Sequence, residues 1–168
     1  MDAIDNFIQS QEFLSLADSY LYEAAINKVE GYFSRLETIP SNLARPAKRN
    51  QVKGLQLSSR TSTLFDLKKM ASNQLGKAIK RLKDPKNDKS GDTLFWSMVR
   101  DLIENNSTDQ FSLTGLAKEL LERKNNFPAT KNEQQKAMAR MIQALALIFF
   151  EHFCCHYYLK TQRLPISN

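Results

Sequence analysis

The stretch MIQALALIFFEHFCCHYYL, residues 141–159, is apolar on almost every side of a helix and is interrupted by Gln143, Glu151 and two histidines. A membrane-spanning helix needs about 20 predominantly apolar residues, whereas this run is broken twice and its flanks are ordinary in composition. A helix that is apolar all round is buried in a protein core or against a neighbouring subunit. We therefore predict a buried central helix over residues 132–160.

Four further segments show apolar residues at helical spacing. They cover residues 3–38 with a break or kink at Ser10, residues 62–83, residues 93–105, and a segment that begins at Ser112. Ser10, Asp92 and Ser112 are the expected N-caps, because short polar side chains accept hydrogen bonds from free helix N–H groups. The helix 62–83 is amphipathic, since its leucines and alanines form one stripe and its lysines lie on the other side.

The composition is that of a soluble helical protein. The chain has 168 residues, of which 42% are hydrophobic and 25% charged, and it has only five Gly and five Pro. A chain of this length can bury a sizeable core as one domain. The sequence thus predicts an all-α, single-domain bundle of about five helices over residues 1–168, with residues 39–61 as a long basic loop between the first two.

The net charge of +6 is unevenly distributed along the chain. Residues 1–38 carry seven acids against two basic residues, a net charge of −5. Residues 39–89 carry thirteen Lys or Arg against three Asp, a net charge of +10, and residues 90–168 carry a net charge of +1. Clustered positive charge favours a polyanionic partner, because several phosphate contacts made together release counterions together.

The basic loop contains ARPAKRNQVKGLQLSSR, residues 44–60, which has five Lys or Arg and no acid. We expect Pro46 and Gly54 to prevent a long helix there. With few aromatic residues nearby, contacts to phosphates are favoured over stacking on bases. The predicted nucleic-acid-binding residues combine the loop with the lysine face of helix 62–83: Arg45, Lys48, Arg49, Lys53, Arg60, Lys69, Lys77, Lys80 and Lys83. The alternative without a binding function is that these cations form a solvated surface that keeps the protein soluble.

The motif EHFCCH, residues 151–156, is the one concentration of metal-type ligands in the sequence. His152 and His156 are one helical turn apart, and Cys155 lies close by. A zinc site needs three or four protein ligands, however, and the chain has no His or Cys outside this motif. A Cys155–His152 nucleophile pair would lie in an apolar wall without an orienting third group. We interpret these residues as core side chains with local partners, and we expect no catalytic residue, metal or cofactor.

Other enzyme classes find no support in the sequence. The HEPN nucleases place an Arg four to six residues before a His, whereas Arg140 precedes His152 by twelve. No Gly-rich phosphate loop precedes a Lys-Ser or Lys-Thr pair. Cys154 and Cys155 are adjacent and have no other cysteine to pair with, which fits a reducing compartment, and the start Met1-Asp2-Ala3 is unlike a signal peptide. We expect a cytoplasmic protein without a membrane span.

In its size, helical plan and one-sided basic segment, the chain resembles the small subunit of Cascade-type CRISPR effector complexes. That resemblance implies a non-catalytic helical bundle in an antiviral ribonucleoprotein, which contacts the backbone of the target or displaced strand. The nine cations would contact DNA or RNA phosphates. The acidic first helix or the last helix would face other subunits or further copies of the same chain.

Two other interpretations stay open. One is a helical adaptor whose apolar segment, Met141 to Leu159, binds a protein partner. The other is an enzyme that uses the 151–156 cluster. Salt-dependent binding to single-stranded DNA or RNA favours the first reading, and co-elution with another chain in the absence of polyanion binding favours the adaptor.

Overall fold

The computed structural model describes residues 3–86, 88–104, 111–123 and 128–162. Within these ranges it is all-α, which confirms the predicted class, and it has seven helices where about five were expected. They are α1 (Ala3–Ile8), α2 (Gln11–Leu36), α3 (Arg49–Thr61), α4 (Leu64–Lys80), α5 (Gly91–Glu104), α6 (Leu113–Arg123) and α7 (Lys131–Gln162). The additional helices are α1, separated from α2 at the expected break, and α3. Residue 105, the predicted end of the third helix, lies outside the described residues.

Helix α7 is the centre of the fold, as the sequence predicts. It packs against α2 and α3 most extensively and also against α6. Its buried residues are Ala137, Met141, Ile142, Leu145, Ala146, Phe149, Phe150, Phe153, Cys154 and Tyr157. Within the described residues α7 is also the one helix long and apolar enough to cross a membrane, by length and composition alone. A core helix passes the same test, and these ten buried residues are what a core helix requires.

Polar contacts give the direction in which helices pack on α7. Asp5 pairs with Arg140, Asp18 Oδ1 lies 2.8 Å from His152 Nε2, and Glu30 Oε2 accepts a 2.8 Å hydrogen bond from Lys160 Nζ. From Asp18 to Glu30 on α2, the partners on α7 advance from His152 to Lys160, so α2 runs parallel to α7. On α3 the order is reversed, since Arg60 contacts Glu151 while Arg49 contacts Thr161. Helix α3 is therefore antiparallel to α7.

Rings from three helices fill the middle of the core. Phe95 on α5 contacts Trp96, Tyr32 on α2, and Phe153 and Tyr157 on α7, with ring centroids 5.1–6.0 Å apart. Phe95 is fully buried. Buried residues from all seven described helices join one hydrophobic cluster.

Two buried tyrosines hold the segment between α2 and α3. Tyr32 Oη donates to the Gly91 carbonyl at 2.9 Å and accepts from the Ala47 N–H at 3.0 Å. Tyr157 Oη donates to the Ala47 carbonyl at 2.5 Å. Gly91 N–H donates to the Leu43 carbonyl at 2.9 Å, so the connection is fastened to the start of α5. The part of the predicted basic loop that is a loop is thus anchored to the core.

The prediction of a loop over residues 39–61 is wrong for its second half, which forms α3. Val52, Leu55 and Ser59 recur at three- and four-residue steps and are buried. Their burial offsets Gly54, which costs a helix about 1 kcal/mol relative to alanine. Pro46 lies before the helix begins and therefore does not interrupt it.

Two of the three expected caps are confirmed. Ser10 Oγ accepts from Phe13 N–H at 3.1 Å, and Ser112 Oγ accepts from Gly115 N–H at 3.0 Å. The third expected cap, Asp92, is wrong. The capping side chain is Ser90, two residues earlier, whose Oγ accepts from Thr93 N–H at 3.2 Å. Asp92 lies inside the first turn of α5, where burial raises the pKa of its carboxyl above the ordinary value.

Candidate nucleic-acid interface

The lysines of α4 form its outer face. Leu67, Ala71, Leu75 and Ala78 are buried, and α4 packs mainly on α5 through this stripe. Lys69, Lys77 and Lys80 lie on the opposite side of the helix and are exposed. Lys83, predicted to be on the helix, is exposed in the turn after it. The amphipathic pattern read from the sequence is therefore present in the fold.

The cations of α3 form a second row. Arg49, Lys53 and Arg60 are exposed and, at i, i+4 and i+11, lie on one stripe of the helix. The same stripe carries Gln56, whose amide donates to Glu151 Oε2 at 3.0 Å. The row therefore borders α7.

Two of the α3 cations already have partners on α7. Arg60 binds both carboxylate oxygens of Glu151, with its Nη2 2.8 Å from Oε2. The Arg60 hydrogen bond holds the pKa of Glu151 below its ordinary value. Arg49 Nε donates to Thr161 Oγ1 at 3.1 Å. These two arginines are thus partly committed to fastening α3 to α7.

Arg45 and Lys48 lie in the anchored connection before α3, and both are exposed. Within the described part of the chain, eight of the nine predicted cations make no ion pair with an acid, and Arg60 is the exception. Arg49 is one of the eight, and its Nε is hydrogen-bonded to a hydroxyl. The structure thus places six of the nine residues in two rows, Arg49, Lys53 and Arg60 on α3 beside α7, and Lys69, Lys77 and Lys80 on the outer side of α4; Arg45, Lys48 and Lys83 lie in the connections next to these helices.

Three acids of the N-terminal segment contact α7 and not these rows. Asp5 and Asp18 pair with Arg140 and His152, and Glu30 contacts both His156 and Lys160. Hydrogen bonds from Lys160 and then His156 hold the pKa of Glu30 below its ordinary value. These three acids attach α1 and α2 to α7.

The EHFCCH cluster does not converge. His152 and His156 reach acids on α2, Cys154 Sγ donates to the Val52 carbonyl at 3.6 Å, and Cys155 is exposed. Among the described residues no three potential ligands are grouped as a metal site would need. Both histidines have local partners, as expected, although they lie at the α2–α7 seam and not in the core.

Sequence reasoning missed a groove beside the lysine face of α4. It has a volume of about 470 Å³ and lies where α4, α5, α6 and α7 meet. Lys68, Lys118 and Lys131 line it together with Gln134 and Gln135. These residues come from three helices distant in sequence, so no local pattern groups them.

Phe65 was also missed, although a signal was available. Its side chain is 73% exposed, the highest value among the large exposed hydrophobic residues described. The apolar stripe of α4 runs through Leu64 and Leu67 and leaves Phe65 outside it. A phenylalanine off the stripe of an amphipathic helix predicts an exposed ring.

Comparison with known proteins does not identify a family. No protein-family model matches the chain, and no curated protein or solved structure matches it.

Proposed function

We propose that this protein is a non-catalytic subunit of a ribonucleoprotein complex that binds the phosphate backbone of DNA or RNA. The observation that carries the proposal is the exposed lysine face of α4, Lys69, Lys77 and Lys80, in a segment of net charge +10. Three lysines within eleven residues of helix span about 16 Å, a length along which a nucleic-acid backbone presents several phosphates.

Phosphate contacts of this kind give affinity without sequence preference. The lysines are flexible point charges and suit a sugar-phosphate chain of variable conformation. Asp5, Asp18 and Glu30 are engaged with α7 and not with the cations of residues 39–89, which stay available to a partner. Arg45, Lys48, Lys53 and Lys83 are further exposed cations outside α4 that make no ion pair among the described residues.

The all-helical fold is compatible with the resemblance to the small subunits of Cascade-type CRISPR effector complexes. On that reading the protein works in the cytoplasm in antiviral defence and helps to hold the target or displaced strand. Other subunits, or further copies of the chain, flank it. On this proposal catalysis is left to other subunits of the complex.

The adaptor alternative relies on the apolar surface of α7, and most of that surface is used inside this chain. Ten α7 residues are buried against the other helices. Leu147 and Leu159 are the large apolar α7 side chains that stay exposed, at 40% and 53%. Binding of a protein partner through α7 is therefore the second candidate function.

The test is charge reversal on the α4 face. In the triple variant Lys69→Glu, Lys77→Glu, Lys80→Glu, single-stranded DNA and RNA should bind more weakly and with a flatter salt dependence. Each lost phosphate contact removes about 0.7 from the log-log slope for a single strand. Fluorescence anisotropy over a series of salt concentrations measures both quantities.

The matched control reverses three exposed cations on other helices, Arg35, Arg123 and Lys136. It changes the net charge by the same amount, so a purely global charge effect would weaken binding equally in both variants. Circular dichroism should show unchanged helix content in each. Equal affinities of the α4 variant and the wild type would show that the assigned face is wrong.

A further inference from the structure

The exposed ring of Phe65 lies between two lysines on the surface of α4. Counting about 100° per residue, its side chain lies between Lys68 on one side and Lys69 on the other. Lys68 lines the groove where α4 meets α6 and α7, whereas Lys69 belongs to the outer lysine face. An exposed aromatic ring therefore lies between two sets of cations.

The groove itself combines an apolar wall with polar groups. Leu64, Met138 and Ile142 are among its apolar residues, its cations are Lys68, Lys118 and Lys131, and Glu104 is an acid in the same lining. Lys118 also pairs with Glu122 at 3.9 Å, and Gln134 Nε2 donates to the Pro128 carbonyl at 2.7 Å, which leaves Lys68, Lys131 and Gln135 as the uncommitted polar side chains among the described residues of the groove. Apolar side chains, an amide group and ammonium groups can together contact the base and the phosphate of a nucleotide.

We propose that Phe65 and the adjoining groove bind the unstacked bases of single-stranded nucleic acid, with Phe65 stacking on a base and the lysines holding the neighbouring phosphates. This inference rests on the proposed function, because it specifies which form of nucleic acid the α4 face takes. In a duplex the base faces are covered by their neighbours, whereas in a single strand they are free to stack on a side chain. Phe65 thus selects single strands over duplexes.

A protein partner fits this surface less well. The centres of protein interfaces are depleted in lysine, and here Lys68 and Lys69 flank the ring while Lys118 and Lys131 lie across the groove. Burying these ammonium groups against a protein would be costly unless each were paired. Phosphates supply that pairing along the whole strand.

The experiment compares Phe65→Ala with the wild type on four probes of equal length. These are oligo-dT, oligo-U, an abasic strand with the same number of phosphates, and a duplex. Phe65→Trp tests whether another ring restores binding. Ile79→Ala removes a second, less exposed apolar side chain from α4 and is the control.

Loss of the ring should weaken binding to oligo-dT, oligo-U or both by about five- to a hundredfold, the usual range for one stacked base. The abasic strand and the duplex should bind Phe65→Ala as well as they bind the wild type. Phe65→Trp and Ile79→Ala should keep the wild-type affinity for single strands. Thermal unfolding of Phe65→Ala should match the wild type, since the ring is largely outside the core.

Two results overturn the inference and leave the proposed function intact. One is unchanged single-strand binding by Phe65→Ala while the α4 charge reversal weakens it. The other is an equal loss on the abasic strand, because no base is present there to stack. In the first case, a change in self-association in sedimentation would identify Phe65 as a protein contact. If the wild type binds none of the probes, the proposed function itself fails.

Discussion

At the scale of single residues, the hydroxyl groups of Tyr32 and Tyr157 determine the path of the basic segment. Tyr32 joins the Gly91 carbonyl to the Ala47 N–H, and Tyr157 donates to the Ala47 carbonyl. These bonds satisfy buried backbone groups that water does not reach. The sequence marks both tyrosines as apolar and core-forming, but nothing local to either residue indicates a bond to position 47.

We predict that Tyr32→Phe lowers the free energy of unfolding by about 1–3 kcal/mol, because it leaves the buried Ala47 N–H without a partner and removes one of the bonds to the Gly91 carbonyl. Tyr157→Phe should also destabilise, and the two effects should not add, since both tyrosines bind Ala47. Chemical denaturation measures these energies. Tyr22→Phe, at an exposed tyrosine, should leave stability at neutral pH unchanged.

The same tyrosines predict a pH dependence. Burial raises the pKa of Tyr32 and of Tyr157 above the ordinary value. The unfolded chain therefore loses these protons first, at about pH 10, and the free energy of unfolding falls as the pH rises further. Denaturation curves between neutral pH and high pH should show this fall. A decline equally steep in the Tyr32→Phe, Tyr157→Phe double variant would contradict the assignment.

Gly91 gives a second prediction at this scale. A Cβ at position 91 would lie 1.7 Å from the Arg45 carbonyl oxygen. Since that atom is backbone, the anchored connection has to move, and we expect Gly91→Ala to cost about 3 kcal/mol, the upper end of the range for overpacking. Gly76→Ala is the matched control because its Cβ meets nothing within 4 Å, so it should be neutral or stabilising.

At the scale of elements, α3 is where sequence reasoning and structure differ most. Gly54 and the high charge predicted a loop, whereas Val52, Leu55 and Ser59 form a short buried stripe. Lys48, at the N-cap, makes no side-chain capping bond, and no acid lies in the first turn. With weak local signals, the helix depends on docking against α7, and tertiary packing of this kind supplies most helical stability in proteins.

We predict that Gly54→Ala stabilises the protein by up to about 1 kcal/mol, the difference in helix propensity between the two residues. The added Cβ meets nothing within 4 Å. Thermal unfolding at neutral pH provides the measurement, and nucleic-acid binding should be unaffected. A loss of stability would show that residues 49–61 are not helical at Gly54.

At the scale of the whole molecule, one aromatic cluster ties the N-terminal, middle and C-terminal parts of the chain together. Phe95 is fully buried among rings from α2, α5 and α7. Phe65, on the surface, is the opposite case. Phenylalanine therefore packs in the core at position 95 and is exposed to solvent at position 65.

We expect Phe95→Ala to lower the free energy of unfolding by about 3–5 kcal/mol, as is usual for a buried phenylalanine. Phe65→Ala should change it by less than about 0.5 kcal/mol, the usual range for surface substitutions. Urea denaturation of the two variants in parallel measures the difference. Similar losses in both would mean that Phe65 is part of the core.

The sequence by itself determined the helical class, the positions of the long helices, two of the N-caps and the lysine face of α4, because each follows from spacing within a single segment. Only the tertiary structure decided that residues 49–61 are a helix, that three acids attach α1 and α2 to α7, and that three lysines from α4, α6 and α7 share a groove with Phe65 beside it. Those features depend on contacts between residues far apart in the chain. Periodicity describes one helix at a time, whereas burial and ion pairing are settled when the helices pack together.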